Sequence, residues 1–158
     1  IDCGTTLLAF AHFLFDKKIT VITNSIPVIN LLKGRRRIKL IVAPGEYEDD
    51  SQGMISSSTS DFFNNIHADK VFISTQGINE AGEITVPKLA DAHVKQALLR
   101  AGRERILLAD KSKFGQTFLA GHGRITDFDY IVSQTGFPDF LAAQLSNHVQ
   151  LLLAETPS

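Results

Sequence analysis

Small polar residues and lysines follow several short apolar runs of this chain, at positions where they could bind an anion. Residues 4–6 read Gly-Thr-Thr and open a helical segment, which places two hydroxyl groups beside exposed backbone N–H groups. Asn24 and Ser25 open the next helical segment, and residues 110–115 read Asp-Lys-Ser-Lys-Phe-Gly. A lysine ammonium is a point charge that suits a phosphate. Together these residues predict a pocket for a small, polar, phosphorylated ligand.

The elements that position these residues are short apolar runs that alternate with segments of helical periodicity. Six runs are typical of strands buried on both faces of a parallel sheet: residues 19–23, 38–43, 71–73, 106–109, 130–132 and 149–153. Four helices are predicted between them, the last of which runs from Phe140 to His148. The alternation predicts an α/β fold, with a doubly wound, mostly parallel sheet and helices on both faces. Ligands of such sheets bind beyond the carboxyl ends of the strands, where the polar loops meet.

Length and composition predict a single domain over residues 1–158. The chain is 44% hydrophobic and 21% charged, which is ordinary for a globular fold. Its net charge of −1 is too low for a domain that binds nucleic acid by itself. One cysteine allows no internal disulfide, which favours the cytoplasm, and no apolar run is long enough to predict a membrane span. Because the first residues read as the end of a strand, we expect the chain to be cut from a longer protein.

The order and spacing of five segments resemble those of DeoR-type transcriptional regulators, from residue 1 to about residue 132. The segments are Asp-x-Gly-Thr-Thr at 2–6, Thr-Asn-Ser at 23–25, Ala-Asp-Lys-Val-Phe with Gly-Ile between 68 and 78, Val-Lys at 94–95, and Ala-Asp-Lys-Ser-Lys-Phe-Gly at 109–115. The resemblance implies the C-terminal effector-sensing and oligomerisation domain of a regulator, in most cases a repressor of a sugar-metabolism operon. It implies a Rossmann-like fold similar to that of ribose-5-phosphate isomerase. It further implies a phosphorylated sugar as effector, an upstream winged helix-turn-helix that binds operator DNA, and assembly into homodimers or homotetramers.

From this resemblance and from their places in the strand-end loops, twelve residues are predicted to bind the effector. They are Asp2, Gly4, Thr5, Thr6, Asn24, Ser25, Gly45, Gln76, Gly77, Lys95, Asp110 and Lys113. Lys113 would pair with the phosphate, and residues 4–6 would surround it. For Asp2 and Asp110, a structural role in shaping the loops explains the residue equally well. No metal site or cofactor is predicted, because the five histidines lack the spacing of metal ligands.

An active sugar-phosphate isomerase is the alternative function. Its chemistry requires carboxylates that move a proton between adjacent carbons. The resemblance to isomerases would place their acids at Ile73, Gln76 and Val94, and none of these residues is acidic. A pocket with binding groups but no base is expected to bind its ligand without converting it. We therefore expect a sensor and no enzymatic activity.

Several other features allow two interpretations. Residues 45–60, which are acidic and then rich in serine, fit a solvated surface loop or a flap over the ligand. Cys3 fits a buried, inert thiol better than a redox-sensitive one. Residues 121–123, Gly-His-Gly, are expected to be flexible. Five apolar residues fit the core or, in a pure oligomerisation domain, an interface: Phe62, Phe63, Phe118, Leu119 and Phe137.

Overall fold

The computed structural model describes residues 1–154, which form five α-helices and eleven β-strands. The helices are α1 (Thr5–Ala11), α2 (Ile26–Leu32), α3 (Ser57–Asn64), α4 (Leu89–Ala101) and α5 (Asp139–Ala142). The strands are β1 (Ile19–Thr23), β2 (Ile38–Val42), β3 (Tyr47–Glu48), β4 (Gly53–Met54), β5 (Ala68–Ser74), β6 (Gly77–Ile78), β7 (Glu83–Val86), β8 (Gly102–Leu108), β9 (Ala120–Arg124), β10 (Tyr130–Gln134) and β11 (Gln150–Ala154). Short 3-10 helices cover His12–Leu14, Lys111–Lys113 and Ile125–Asp127.

Four parallel strands form the central sheet, in the spatial order β11-β10-β8-β5. Because side chains alternate along a strand, the sheet presents two apolar faces. On one face Ile73 and Leu107 pack with Val94 of α4, and on the other Ile106 and Leu108 pack around α1. All of these side chains are buried. The predicted α/β fold, with a parallel sheet and helices on both faces, is therefore confirmed.

Residues 1–3 lie between this sheet and a second parallel pair, β1-β2. The Asp2 backbone N–H donates to the carbonyl of Phe72 in β5 at 3.0 Å. The Ile1 nitrogen donates to the carbonyl of Ile22 in β1 at 2.7 Å. These bonds join β1 and β5 through the first residues of the chain. They also bring residues 4–6 to the edge where both strands end.

Two small antiparallel sheets, β3-β4 and β6-β7-β9, were not predicted. Their strands have two to five residues, too few for a periodic signal, and β9 reads Ala-Gly-His-Gly-Arg. Gly77 in β6 is a requirement of this packing, because a Cβ there would lie 2.6 Å from the backbone oxygen of Gln116. The expectation that residues 121–123 are flexible was wrong, since they lie in β9 and His122 is only 2% exposed.

Two further predictions need correction. The fourth helix is confined to α5 and ends at Ala142, six residues before His148. After it the backbone makes turns, with Leu145 N–H donating to the Ala142 carbonyl, while the Gln144 side chain donates to the Glu80 carbonyl. Residues 45–60 are exposed at many positions, as predicted, but they are not a loop throughout, because they hold the hairpin β3-β4 and the start of α3.

The apolar residues considered for an interface divide between core and surface. Phe63 and Phe137 are buried in the main core, and Leu119 is 85% exposed. Within residues 1–154 no helix has the length and hydrophobicity needed to cross a bilayer, and the longest, α4, has 13 residues.

Candidate functional site

A cavity of about 670 Å³ opens beyond the carboxyl ends of β1, β5 and β8. Seven of the twelve predicted residues line it: Gly4, Thr5, Thr6, Ser25, Gln76, Lys95 and Lys113. Gly4 turns the chain into α1 with a φ of +138°, and a Cβ at this position would lie 2.6 Å from the hydroxyl of Ser74. Glycine is therefore required for residues 4–6 to reach the cavity wall. Ser25 lies at the start of α2, where its hydroxyl accepts the Val28 N–H at 3.4 Å.

The other five predicted residues do not line the cavity: Asp2, Asn24, Gly45, Gly77 and Asp110. Asn24 is fully buried, and its amide donates to the carbonyl of Met54 at 3.1 Å, which holds β4 in place. Gly45 has a φ of +152° and permits the close approach of α3, because a Cβ there would lie 2.2 Å from the hydroxyl of Thr59. Asn24 and Gly45 therefore support the elements around the cavity and do not contact a ligand in it directly.

Asp2 and Lys95 form a buried ion pair below the cavity, with side chains that are 0% and 4% exposed. The Asp2 carboxylate also accepts the Ser74 N–H at 3.2 Å, and the Lys95 ammonium donates to the Ser74 carbonyl at 3.1 Å. Burial by itself would lower the pKa of Lys95, but the charges of Asp2 and Asp91 raise it above its ordinary value. Lys95 is thus charged, and its charge is already paired with a carboxylate.

Lys113 presents its ammonium to the cavity from a loop that Asp110 shapes. The Asp110 carboxylate accepts the Ser112 N–H at 2.8 Å, and this bond begins the 3-10 helix Lys111–Lys113. Partial burial by itself would raise the pKa of Asp110, but the hydrogen bonds from Ser112 and the charge of Lys113 lower it below its ordinary value. The Lys113 ammonium lies 3.9 Å from this carboxylate, outside hydrogen-bond distance, and its side chain is 31% exposed. Its N–H groups are available to a ligand.

The hairpin formed by residues 47–54 covers one side of the cavity with residues 49–52. Lys88, just before α4, forms ion pairs with Glu48 and Asp50 of the hairpin. The hydrogen bond from Lys88, with the Ser51 N–H, lowers the pKa of Glu48 to about 2. Sequence reasoning missed this hairpin's structure, although its acidic composition was the signal that suggested a flap.

Asp91 lines the cavity and is not one of the twelve predicted residues. It lies in the first turn of α4, one helical turn before Lys95, and is 6% exposed. The spacing of four residues was visible in the sequence, but burial of both side chains was not. Burial raises the pKa of Asp91, and the positive charge of Lys95 only partly opposes this.

His122 contacts the cavity wall from behind, through Thr75. The single Thr75 hydroxyl hydrogen is within reach of the carbonyls of Gly77 and Thr85, at 3.2 and 3.0 Å. The oxygen therefore accepts the His122 Nε2–H at 3.1 Å, which assigns the tautomer. Burial, and after it the charge of Lys95, lower the pKa of His122 well below its ordinary value. This imidazole is neutral and structural.

Cys3 lines the cavity with little accessible surface, being 4% exposed. Burial, followed by the negative charge of Asp2, raises the pKa of its thiol. A neutral buried thiol is a poor nucleophile, which agrees with the prediction of an inert side chain.

Two of the three positions where the isomerase comparison places acids lie in the apolar core. Ile73 and Val94 are both 0% exposed and belong to the main hydrophobic cluster, and Gln76 alone lines the cavity. Within residues 1–154, no group of His, Cys, Asp and Glu side chains is arranged to hold a metal ion.

The family model that describes the DeoR C-terminal sensor domain matches residues 1–135. This chain belongs to the DeoR sensor-domain family. The relatives given below are named as transcriptional regulators, and the matching family model describes a sensor domain, so the expectation of a sensor domain is confirmed. The similarity to ribose-5-phosphate isomerase, which the sequence suggested, stays a prediction.

Three relatives illustrate the range of regulators that carry this sensor domain. The HTH-type transcriptional repressor GlcR of Bacillus subtilis is 31% identical over 98% of this chain and 60% of its own length. The glycerol-3-phosphate regulon repressor of Escherichia coli is 29% identical over 97% of the chain and 62% of its own length. The L-fucose operon activator of Escherichia coli is 30% identical over 84% of the chain and 55% of its own length. The chain thus spans little more than half the length of these relatives.

Proposed function

We propose that this domain binds a phosphorylated sugar in the cavity at the strand ends and thereby controls DNA binding by a longer regulator. The observation that carries the proposal is the lining of the cavity: threonine hydroxyls of residues 5 and 6 share it with Lys113, whose ammonium makes no hydrogen bond within residues 1–154. Charge-assisted hydrogen bonds from such groups bind phosphate well. The name of one relative refers to the regulon of a phosphorylated polyol, glycerol 3-phosphate.

The proposed mechanism is a population shift. The hairpin of residues 47–54 touches the cavity and is joined to the rest of the domain by the ion pairs of Lys88 and by hydrogen bonds to Asn24 and Ile26. A ligand in the cavity would contact residues 49–52 and favour one arrangement of the hairpin. A ligand shifts such an equilibrium only if it binds the two arrangements unequally. Relatives include repressors and an activator, so the effector either releases or recruits DNA.

The proposal extends to the whole regulator. An N-terminal winged helix-turn-helix would bind the operator, and the protein would act in the cytoplasm as a homodimer or homotetramer. Phe13 and Leu119, which are 78% and 85% exposed, are available for contacts between subunits. Sedimentation velocity of the chain, with and without 10 mM glucose 6-phosphate, measures the assembly state, and a monomer under both conditions would contradict this part.

Thermal unfolding with a panel of sugar phosphates, their unphosphorylated parents and inorganic phosphate tests ligand binding. A ligand at about 100 times its Kd stabilises the folded state by about 2.7 kcal/mol. For a domain of this size that raises the Tm by roughly 5–10 °C.

The matched variants are Lys113→Ala and Lys111→Ala, which remove neighbouring lysines of the same loop. Lys111 is exposed and does not line the cavity. We expect at least a tenfold loss of affinity in Lys113→Ala and no change in Lys111→Ala. The absence of any Tm shift with every phosphorylated compound would refute the proposal, and so would equal losses in the two variants.

A further inference from the structure

Asp91 carries a carboxylate that faces the cavity and has no hydrogen-bond donor within residues 1–154. The side chain is 8% exposed, and the nearest cation, the Lys95 ammonium, lies 3.8 Å away, beyond hydrogen-bond distance. An ionised carboxylate can accept about four hydrogen bonds. The Asp91 oxygens are open to the cavity and are not among the fully buried atoms that lack a partner. A ligand that displaces solvent from them must therefore supply hydrogen-bond donors in its place.

The charge of Lys95 is committed elsewhere. Its ammonium contacts Asp2 and donates to the Ser74 carbonyl at 3.1 Å, so two of its three N–H groups have closer partners than Asp91. Two carboxylates and one ammonium leave this wall of the cavity with one net negative charge when all three groups are ionised. Lys88 is paired with the hairpin carboxylates and does not neutralise it.

Lys113, the proposed phosphate partner, does not pair with Asp91. Asp91 is on α4, whereas Lys113 follows β8, and no ion pair within 4.0 Å joins them. The cavity therefore presents a cation at one place and an unsatisfied anion at another. A ligand that satisfies both has a phosphate in one part and hydrogen-bond donors, without negative charge, in another.

We infer that Asp91 selects the effector class: its carboxylate accepts hydrogen bonds from the free hydroxyl groups of a sugar monophosphate and excludes ligands with a second anionic group at that end. The inference rests on the proposed function, because it takes the phosphate to lie beside Lys113. By this inference, sugar bisphosphates and phosphorylated sugar acids do not bind. A site that consisted only of Lys113 and the threonine hydroxyls would accept them.

The ionisation of Asp91 agrees with this role. Burial raises the pKa of Asp91, because the charged form loses hydration that no donor of the protein replaces. The charged groups around it are Asp2, Lys95, Glu48 and Lys88, and only Lys95 lies within 4.0 Å. Hydroxyl donors from a ligand would stabilise the charged form, whereas a second anion would destabilise it.

Three pairs of compounds, which differ by one added anionic group away from the shared phosphate, test the inference. They are glucose 6-phosphate with 6-phosphogluconate, fructose 6-phosphate with fructose 1,6-bisphosphate, and glycerol 3-phosphate with 3-phosphoglycerate. Titration calorimetry on the chain should give, for the pair that binds, a Kd at least tenfold lower for the less charged member. In Asp91→Asn, which keeps the size of the side chain and removes its charge, this ratio should fall below threefold. In Asp91→Glu it should persist.

Asp61→Asn is the matched control, since it removes the same charge from an exposed position of α3 outside the cavity. Circular dichroism checks the fold, and Asp91→Ala repeats the measurement if the Asn variant does not fold. A ratio that stays unchanged in Asp91→Asn, while affinity still depends on Lys113, would overturn the role of Asp91 and leave the proposed function intact. Binding by no member of any pair, together with no Tm shift from any phosphorylated compound of the thermal panel, would overturn both. Tighter binding of the more charged member by the unmodified chain would overturn the inference alone.

Discussion

Replacing Lys95 by methionine tests whether this lysine is a structural ion-pair partner, which its geometry indicates, or a free cation for the ligand. The Asp2 carboxylate is 0% exposed, and one of its oxygens already has no hydrogen-bond partner within residues 1–154. Lys95→Met would leave that charge without its cation. At an effective dielectric constant of about 20, two charges about 4 Å apart attract by about 4 kcal/mol, and this pair is closer. Removing one partner of a buried pair costs about 3–5 kcal/mol in proteins generally.

Urea unfolding at pH 7.5, followed by circular dichroism, measures the free energy of unfolding. We expect Lys95→Met to lose about 3–5 kcal/mol, and Asp2→Asn to lose less, because Asp91 remains near Lys95 as a second carboxylate. The double variant removes both charges, so neither partner is left buried without the other. Its loss of unfolding free energy should therefore be smaller than the sum of the two single losses, by at least about 2 kcal/mol. Additive losses, or a loss below about 1 kcal/mol in Lys95→Met, would show that the pair does not stabilise the fold.

Three further predictions concern the cavity wall and the elements behind it. The pKa of His122 is lowered in the folded state, so stability is complete above the unfolded pKa and is lost as the pH falls below about 6.5. Between pH 7.5 and 5.5, the free energy of unfolding measured by urea titration should therefore fall by about 1.4 kcal/mol more in the unmodified chain than in His122→Gln. Parallel pH profiles of the two proteins would contradict the lowered pKa of His122. Gly77→Ala should destabilise by about 1–3 kcal/mol, because its Cβ would approach a backbone oxygen at 2.6 Å, whereas Gly121→Ala, with no atom within 4 Å of its Cβ, should not. Lys88→Ala should speed amide hydrogen exchange in residues 47–54 with little change elsewhere. Equal protection of these residues in the variant and in the unmodified chain would show that the ion pairs do not hold the hairpin.

The parallel sheet was predictable because its strands carry a strong local signal. The run at residues 19–23 coincides with β1, and the runs near β2, β5, β8, β10 and β11 each fall within or overlap the observed strand. Buried β-branched residues are required wherever helices cover both faces of a sheet, so composition alone indicates such strands. The small antiparallel sheets have no such signal, since β6 has two residues and β9 contains two glycines. Long-range pairing holds them, and pairing is not visible in a single segment.

The candidate site was predictable in its location and less so in the roles of its residues. Chain order alone places Ser25 and Lys113 after strands that end at one edge, and parallel strands bring such loops together. Residues 4–6 follow no strand, and the hydrogen bonds of residues 1 and 2 to β1 and β5 bring them to the same edge. The sequence also determined the residue types, and hence that the site offers hydroxyls and lysines. Only the tertiary structure decided which charges are free. Lys95 and Lys113 are the same residue type, but Lys95 lies 93 residues from the Asp2 that neutralises it, whereas Lys113 stays outside hydrogen-bond distance of its carboxylate. Burial and pairing depend on which segments meet in space, and those two properties set the charge that a ligand encounters.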